Sequence, residues 1–316
     1  MGNDKLFISK YSYVLTFLKL LGSTVKRMIF LFIILLCNVK FANGQNDRFS
    51  FSTGGAINVN DFNWSIAGNL QGKSPNILSE LVFQNITSLG FYLEGTYNPL
   101  RYLQLNALYQ RNGVARGQGT DTDYGGDNRT NPTFHQPFSS DKGHLEIFKA
   151  GVKYNFLHRD KFILGAGTSY KSTVQNFVIL SLDLTDLKST YRARWQGMDV
   201  SIAGTYQMNQ ALSVGADISY SVIRYRAEAN WNLIDIFMQP LSFAQTSKGQ
   251  GMDFGLRSRY TANNFLSFSL DGMLGNTRAF KGTDISYLKN GTQISTQFNG
   301  SKNDFYGVRL GAIIHF

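Results

Sequence analysis

The stretch Tyr306-Gly-Val-Arg-Leu-Gly-Ala-Ile-Ile-His-Phe316 at the end of the chain decides how the rest is read. Tyr306, Val308, Leu310, Ala312, Ile314 and Phe316 fall on one face of it, and Gly307, Arg309, Gly311 and His315 on the other. Period-two alternation of this kind describes an extended strand whose successive side chains point to opposite faces. The pattern recurs upstream. Leu212, Val214, Ala216, Ile218 and Tyr220 alternate with Ser213, Gly215, Asp217 and Ser219. Val200, Ile202 and Tyr206 alternate with Asp199, Ser201 and Gln207, and Leu103, Leu105 and Tyr109 with Gln104, Asn106 and Gln110.

A soluble sheet with one buried face alternates in the same way. Three features separate the two cases. The polar face carries full charges, among them Glu94, Lys149, Lys153, Asp199, Asp217, Asp271 and Arg309, which suits a hydrated lumen. Short breaks near 98–100, 158–160, 208–210 and 262–264 alternate with long polar connections near 60–78, 116–142, 178–188, 230–248 and 280–302, the loop asymmetry of outer-membrane barrels. The chain also ends on an apolar strand closed by Phe316, the usual C-terminal signal read by the barrel-assembly machinery of Gram-negative bacteria.

Composition agrees. The 316 residues are 43% hydrophobic, 14% aromatic and only 16% charged, with 31 Gly, 5 Pro and one Cys. The charged fraction is below the ~25% of soluble domains. So many aromatics oppose disorder. A single Cys rules out a disulfide scaffold. The expected fold is all-β, a ten-stranded antiparallel transmembrane barrel with strands near 48–59, 79–98, 101–115, 144–157, 161–177, 189–207, 211–229, 250–262, 265–279 and 303–316. Ten is even, as a single chain with both ends in the periplasm requires.

Lys26-Arg27 followed by the apolar run Met28–Cys37 and then Ala42-Asn43-Gly44 reads as a secretory signal. Residues 1–44 are expected to be removed near Gly44/Gln45, with Met28 as an alternative start, leaving a barrel of 45–316 in the outer membrane. The removed part holds six of the 31 basic residues and one of the 21 acidic ones, so the net charge falls from +10 to +5. No basic run supports nucleic acid as a partner.

The four histidines, His135, His144, His158 and His315, have no metal-ligand spacing, so neither metal nor organic cofactor is expected. Gly119-Thr-Asp121-Thr-Asp123-Tyr124 is more informative. In an extended segment Asp121 and Asp123 share a face, and two close carboxylates resist ionising together, so one can keep a proton and polarise a water. An ordinary solvated loop has the same composition.

Gly119–Tyr124, with His135-Gln-Pro137, His144-Leu-Glu146, Ala150–Tyr154, Phe162–Tyr170 and Tyr191-Arg-Ala-Arg194-Trp195, resembles the omptins, the outer-membrane proteases of Gram-negative bacteria, in order and spacing along nearly the whole exported part. The resemblance implies Asp121 and Asp123 as a catalytic pair, with Tyr124 where omptins have Trp. It also implies Arg194 as one basic contact for lipopolysaccharide. It departs at the opposite wall, where omptins carry an Asp–His couple: this chain has Trp231-Asn232-Leu233-Ile234-Asp235. No histidine lies between His158 and His315; His135 or His144 from the second loop, or Asp235 with a shift of register, would have to serve a rearranged catalytic set. Three functions follow as expectations. The first is a surface binding protein without omptin proteolysis, contacting lipid, lipopolysaccharide, peptide or polysaccharide through Tyr124, Arg194, Trp231 and Asn232. The second is an endopeptidase built on Asp121, Asp123 and His135. The third is a narrow pore.

Overall fold

The structure is a computed structural model that describes residues 48–316 except Leu182. The expected signal segment, its cleavage point and Cys37 lie outside the described residues. Twelve strands are present among the described residues: β1 Phe49–Ile66, β2 Ser79–Leu100, β3 Leu103–Gly126, β4 Thr130–Ser139, β5 Gly143–Arg159, β6 Phe162–Ile179, β7 Ser189–Gln207, β8 Leu212–Asn230, β9 Phe243–Thr261, β10 Leu266–Ala279, β11 Gly282–Tyr287 and β12 Gln293–His315. All the strand pairings are antiparallel.

The ring has ten positions. It runs β1-β2-β3-β5-β6-β7-β8-β9-β10-β12 and closes by pairing β12 with β1, Thr53 opposite Ala312 and Val59 opposite Tyr306. The two remaining strands prolong ring positions upward. β3 pairs with β5 as far as Gly113–His144 and with β4 from Gln118–Ser139 onward. Above β10, β11 fits between β9 and β12.

The connections 116–142 and 280–302, expected as polar loops, are therefore mostly strand. Their Thr, Tyr and Ile residues take extended conformations because a neighbouring strand offers a ladder, a tertiary effect that local polarity hides. The β4–β5 break falls at Gly143, whose φ is +116 and where a Cβ would lie 1.9 Å from the Asn176 carbonyl oxygen. Only glycine fits that backbone.

The barrel has two storeys, divided by a phase change along its strands. On β8, Val214, Ile218, Tyr220 and Val222 point outward and Asp217, Ser219 and Ser221 inward. Immediately above, Arg224, Arg226 and Glu228 point outward and Ile223, Tyr225, Ala227 and Ala229 inward. β7 switches likewise between outward Met198, Val200 and Ile202 and outward Arg192 and Arg194. The apolar outer run on β8 covers nine residues, matching the ~9–11 that cross a bilayer. Below the switch the solvent outside is lipid and the lumen must be polar. Above it, water surrounds the wall and the interior becomes an ordinary apolar core. The short turns and the described chain ends share the lower end, which the barrel rule assigns to the periplasm.

Candidate functional site

The lower lumen is filled by a charge network. Arg257 Nε donates to Asp271 at 3.0 Å, Arg309 reaches the same carboxylate at 3.4 Å, and Glu94 lies 3.8 Å from Arg257. Lys149 pairs with the buried Asp199 at 2.7 Å, and Lys171 with Asp253. The Arg309 guanidinium also sits over the Tyr92 ring. A cavity of about 150 Å³ remains among Lys149, Lys171, Asp217, Asp253, Asn303 and Arg309. Of the charges expected on the lumen side, these pairings include Glu94, Lys149, Asp199, Asp271 and Arg309, and Asp217 lines the cavity.

The upper storey is closed by aromatic rings. Phe62, Phe83 and Phe177 pack mutually, with Phe83 and Phe177 centroids 4.6 Å apart. Tyr191 stacks on Trp64, Trp195 lies 4.4 Å from Tyr225, and Tyr225 stacks on Phe298. Several buried polar atoms within this plug are paired, as burial favours, while Trp64 Nε1 has no hydrogen-bond partner. Trp195 Nε1 donates to Gln175 at 2.8 Å. The Tyr191 hydroxyl donates to Gln245 Oε1 at 2.6 Å, so the Tyr225 hydroxyl, 2.5 Å away, donates to Tyr191. Gln245 Nε2 in turn donates to Asp284 at 3.0 Å. Asp284 is 1% exposed with no cation beside it, and burial pushes its carboxyl up to about 6 against the opposing Gln245 hydrogen bond.

The acidic pair lies at the top of this plug. Asp121 is directly opposite Leu81 on β2 and Asp123 opposite Ser79. Leu81 is fully buried, so both carboxylates share the inner face. Burial, then the neighbouring Asp123, raise Asp121 to about 7, while a hydrogen bond from the Trp231 side chain pulls it down. Asp123 is raised by burial and lowered by its hydrogen bond to Ser79. Trp231 comes from the β8–β9 connection across the barrel and packs edge-on against Phe243 at 4.9 Å. The indole therefore joins Asp121 to the edge of the plug.

The other expected site residues lie elsewhere. His135 pairs with Thr122, and its Nδ1 is 2.9 Å from the Thr122 hydroxyl, on the face opposite Asp121 and Asp123. Alternation carries Tyr124 to that same outer face, near Arg129. Asn232 serves the loops: its Oδ1 accepts from the Lys188 amide at 2.9 Å and its Nδ2 donates to the Asp186 carbonyl at 2.7 Å. Asp235 is exposed beside Lys289 at 3.4 Å. Arg194 stands on the outer wall opposite Arg226, above the lipid-facing run. The structure thus brings together Asp121, Asp123 and Trp231 and leaves His135, Tyr124, Arg194 and Asn232 apart from them. No three His, Cys, Asp or Glu side chains come together as a metal set among the described residues. The plug and Asp284 are what sequence reading missed, although the phase change at Val222-Ile223 is a readable signal for the plug.

A closed ten-position ring with a polar lower lumen, an outward apolar belt and long upper strands defines an outer-membrane β-barrel of omptin architecture. Consistent with this, the chain is similar to the outer-membrane protease OmpT from Escherichia coli, with a TM-score of 0.66, 12% identity, and coverage of 85% of this chain and 96% of that one. The outer membrane protein OprG from Pseudomonas aeruginosa aligns over 85% and 95% of the two chains at 12% identity, with a TM-score of 0.34. No curated protein sequence matches. Residues 58–316 match the Protochlamydia outer membrane protein family, and the chain belongs to that family.

Proposed function

We propose that the protein is a surface binding protein of the outer membrane that presents its ligand site at the extracellular rim and carries out no omptin-type proteolysis. One observation carries this reading. Asp121 is hydrogen-bonded by the Trp231 side chain, and the imidazole nearest in sequence, His135, is turned to the other face, away from both carboxyls. A carboxyl held near 7 can keep a proton, yet without a neighbouring general base the ~10²–10⁴-fold that such a group supplies is missing. The aromatic plug argues in the same direction, since its buried rings pack across the upper lumen above the cavity.

The outer wall supports a lipid contact. Arg192, Arg194, Arg224 and Arg226 rise directly above the lipid-facing residues of β7 and β8, at the level where phosphates of outer-leaflet lipid or lipopolysaccharide lie. Guanidinium groups match phosphate oxygens in bidentate geometry.

A second reading, a narrow solute path, draws on the charged cavity in the lower lumen. Refolded protein tested in planar bilayers and against basic peptides, with and without lipopolysaccharide, separates the three. The surface-binding reading expects neither discrete conductance nor cleavage. Conductance steps favour the path, and cleavage abolished by Asp121→Ala with Asp123→Ala restores the endopeptidase.

A further inference from the structure

The cavity in the lower lumen is lined by hydrogen-bonding groups that nothing in the wall answers. Its volume is about 150 Å³, the size of a cavity that holds a benzene molecule. Leu145, Trp195 and Ile223 form its upper lining and are buried, the latter two as members of the plug. Four buried atoms of other lining residues have no partner among the described residues: Gln110 Oε1, Ser221 Oγ, Asp253 Oδ1 and Arg309 Nε. Gln110, Ser221 and Arg309 are 1%, 3% and 8% exposed, so bulk water does not serve them. Asp217 also lines the cavity and enters no hydrogen bond or ion pair among the described residues; Arg257 acts on it only at longer range. Opposite Asp217 stands Gly255, where a Cβ would lie 2.6 Å from Asp217 Oδ1. Asp217 and Asp253 come from the neighbouring strands β8 and β9, and Arg309 from β12, two ring positions beyond β9.

We infer that this cavity binds a small zwitterion, an α-amino acid with a compact apolar side chain, reached from the periplasmic end of the lumen. The unanswered groups specify both charges. Asp217, Asp253 Oδ1 and Gln110 Oε1 are acceptors and call for N–H donors, of which an ammonium group carries three. Arg309 Nε–H is a donor and calls for an acceptor oxygen, best a carboxylate. A simple cation would meet Lys149, Lys171, Arg257 and Arg309, and a simple anion would meet Asp217, Asp253 and Asp271. Either would leave one set of groups unanswered, with the penalty that attends a buried unpaired charge. Waters alone would serve the polar atoms and gain nothing from Leu145, Trp195 and Ile223, against which an aliphatic side chain is buried. The site lies at the other end of the barrel from the rim and does not rest on the surface-binding reading.

The test uses the full refolded protein in detergent and L-valine, followed by titration calorimetry. The inference expects saturable binding at one site. Isobutylamine, which lacks the carboxylate, and isovalerate, which lacks the ammonium, should each bind more weakly by about tenfold or more. Asp217→Asn removes a charge that has no partner in the wall to lose, and Ser221→Leu fills the cavity. Each should weaken valine binding by about tenfold or more. The two variants are independent, so either decides the matter if the other fails to fold. Absence of saturable valine binding, equal binding of a singly charged analogue, or unchanged binding in a folded variant would overturn the inference and leave the cavity to water.

Discussion

Two buried carboxyls dominate the residue scale. Asp284 moves from an ordinary 3.8 to about 6 in the fold. A raised carboxyl pKa means the folded state holds the proton more tightly. The stability linked to it is complete below about pH 4 and is lost as pH rises through 6. Two units correspond to about 3 kcal/mol. All three tryptophans, Trp64, Trp195 and Trp231, sit in the upper storey, so their fluorescence during urea unfolding in detergent reports on the plug. Its midpoint should be higher at pH 5 than at pH 8, and Asp284→Asn should flatten the difference. An unchanged pH dependence in that variant would place the effect elsewhere. Asp121 offers a second titration. Trp231 touches this carboxyl directly, so native-state fluorescence should shift with a midpoint near pH 7, and the shift should vanish in Asp121→Asn.

At the scale of strands, the two environments of one wall set opposite demands. Leu310 is 64% exposed on the lipid side of β12. Leu310→Arg should cost about 2–4 kcal/mol if the residue lies near the bilayer midplane, measurable by equilibrium unfolding in lipid vesicles. On the upper part of the same wall, outward Arg224 and Arg226 are native. The β4–β5 junction depends on Gly143. Gly143→Ala places a methyl against the Asn176 carbonyl and should loosen β4 while leaving the lower barrel paired, visible as faster amide exchange confined to β4 and its β3 partner. Exchange unchanged in β4 would show that the break does not depend on that backbone conformation.

Across the whole molecule, closure depends on the plug. Tyr225 and Phe298 stack face to face, 5.4 Å apart, and both are essentially inaccessible. Truncating large buried aromatics leaves cavities and costs about 3–5 kcal/mol each. Tyr225→Ala with Phe298→Ala should therefore lower the unfolding midpoint and open the lower cavity upward. Planar bilayers should then show conductance with the variant and none with the parent. A silent variant that is still folded would mean that other rings close the lumen.

The barrel itself was legible in the residues, because lipid outside and water inside impose period-two alternation strand by strand. Leu212–Tyr220 and Tyr306–Phe316 carry that signal without any tertiary information, and so do the short turns that give an even strand count. The pairing of Asp121 with Asp123 on one face also follows from spacing alone. The extent of the strands does not, since 116–142 and 280–302 look polar until β3, β9 and β12 supply hydrogen-bonding partners. Nor does the surrounding of the acidic pair. That Trp231, about 110 residues on, hydrogen-bonds Asp121 while His135 faces away depends on ring closure and on β3–β4 register, and a one-residue slip would exchange the two faces. Alternation is a local consequence of the solvent on each side of a wall and is written in the chain. What meets across the barrel is fixed only when the tenth position closes on the first.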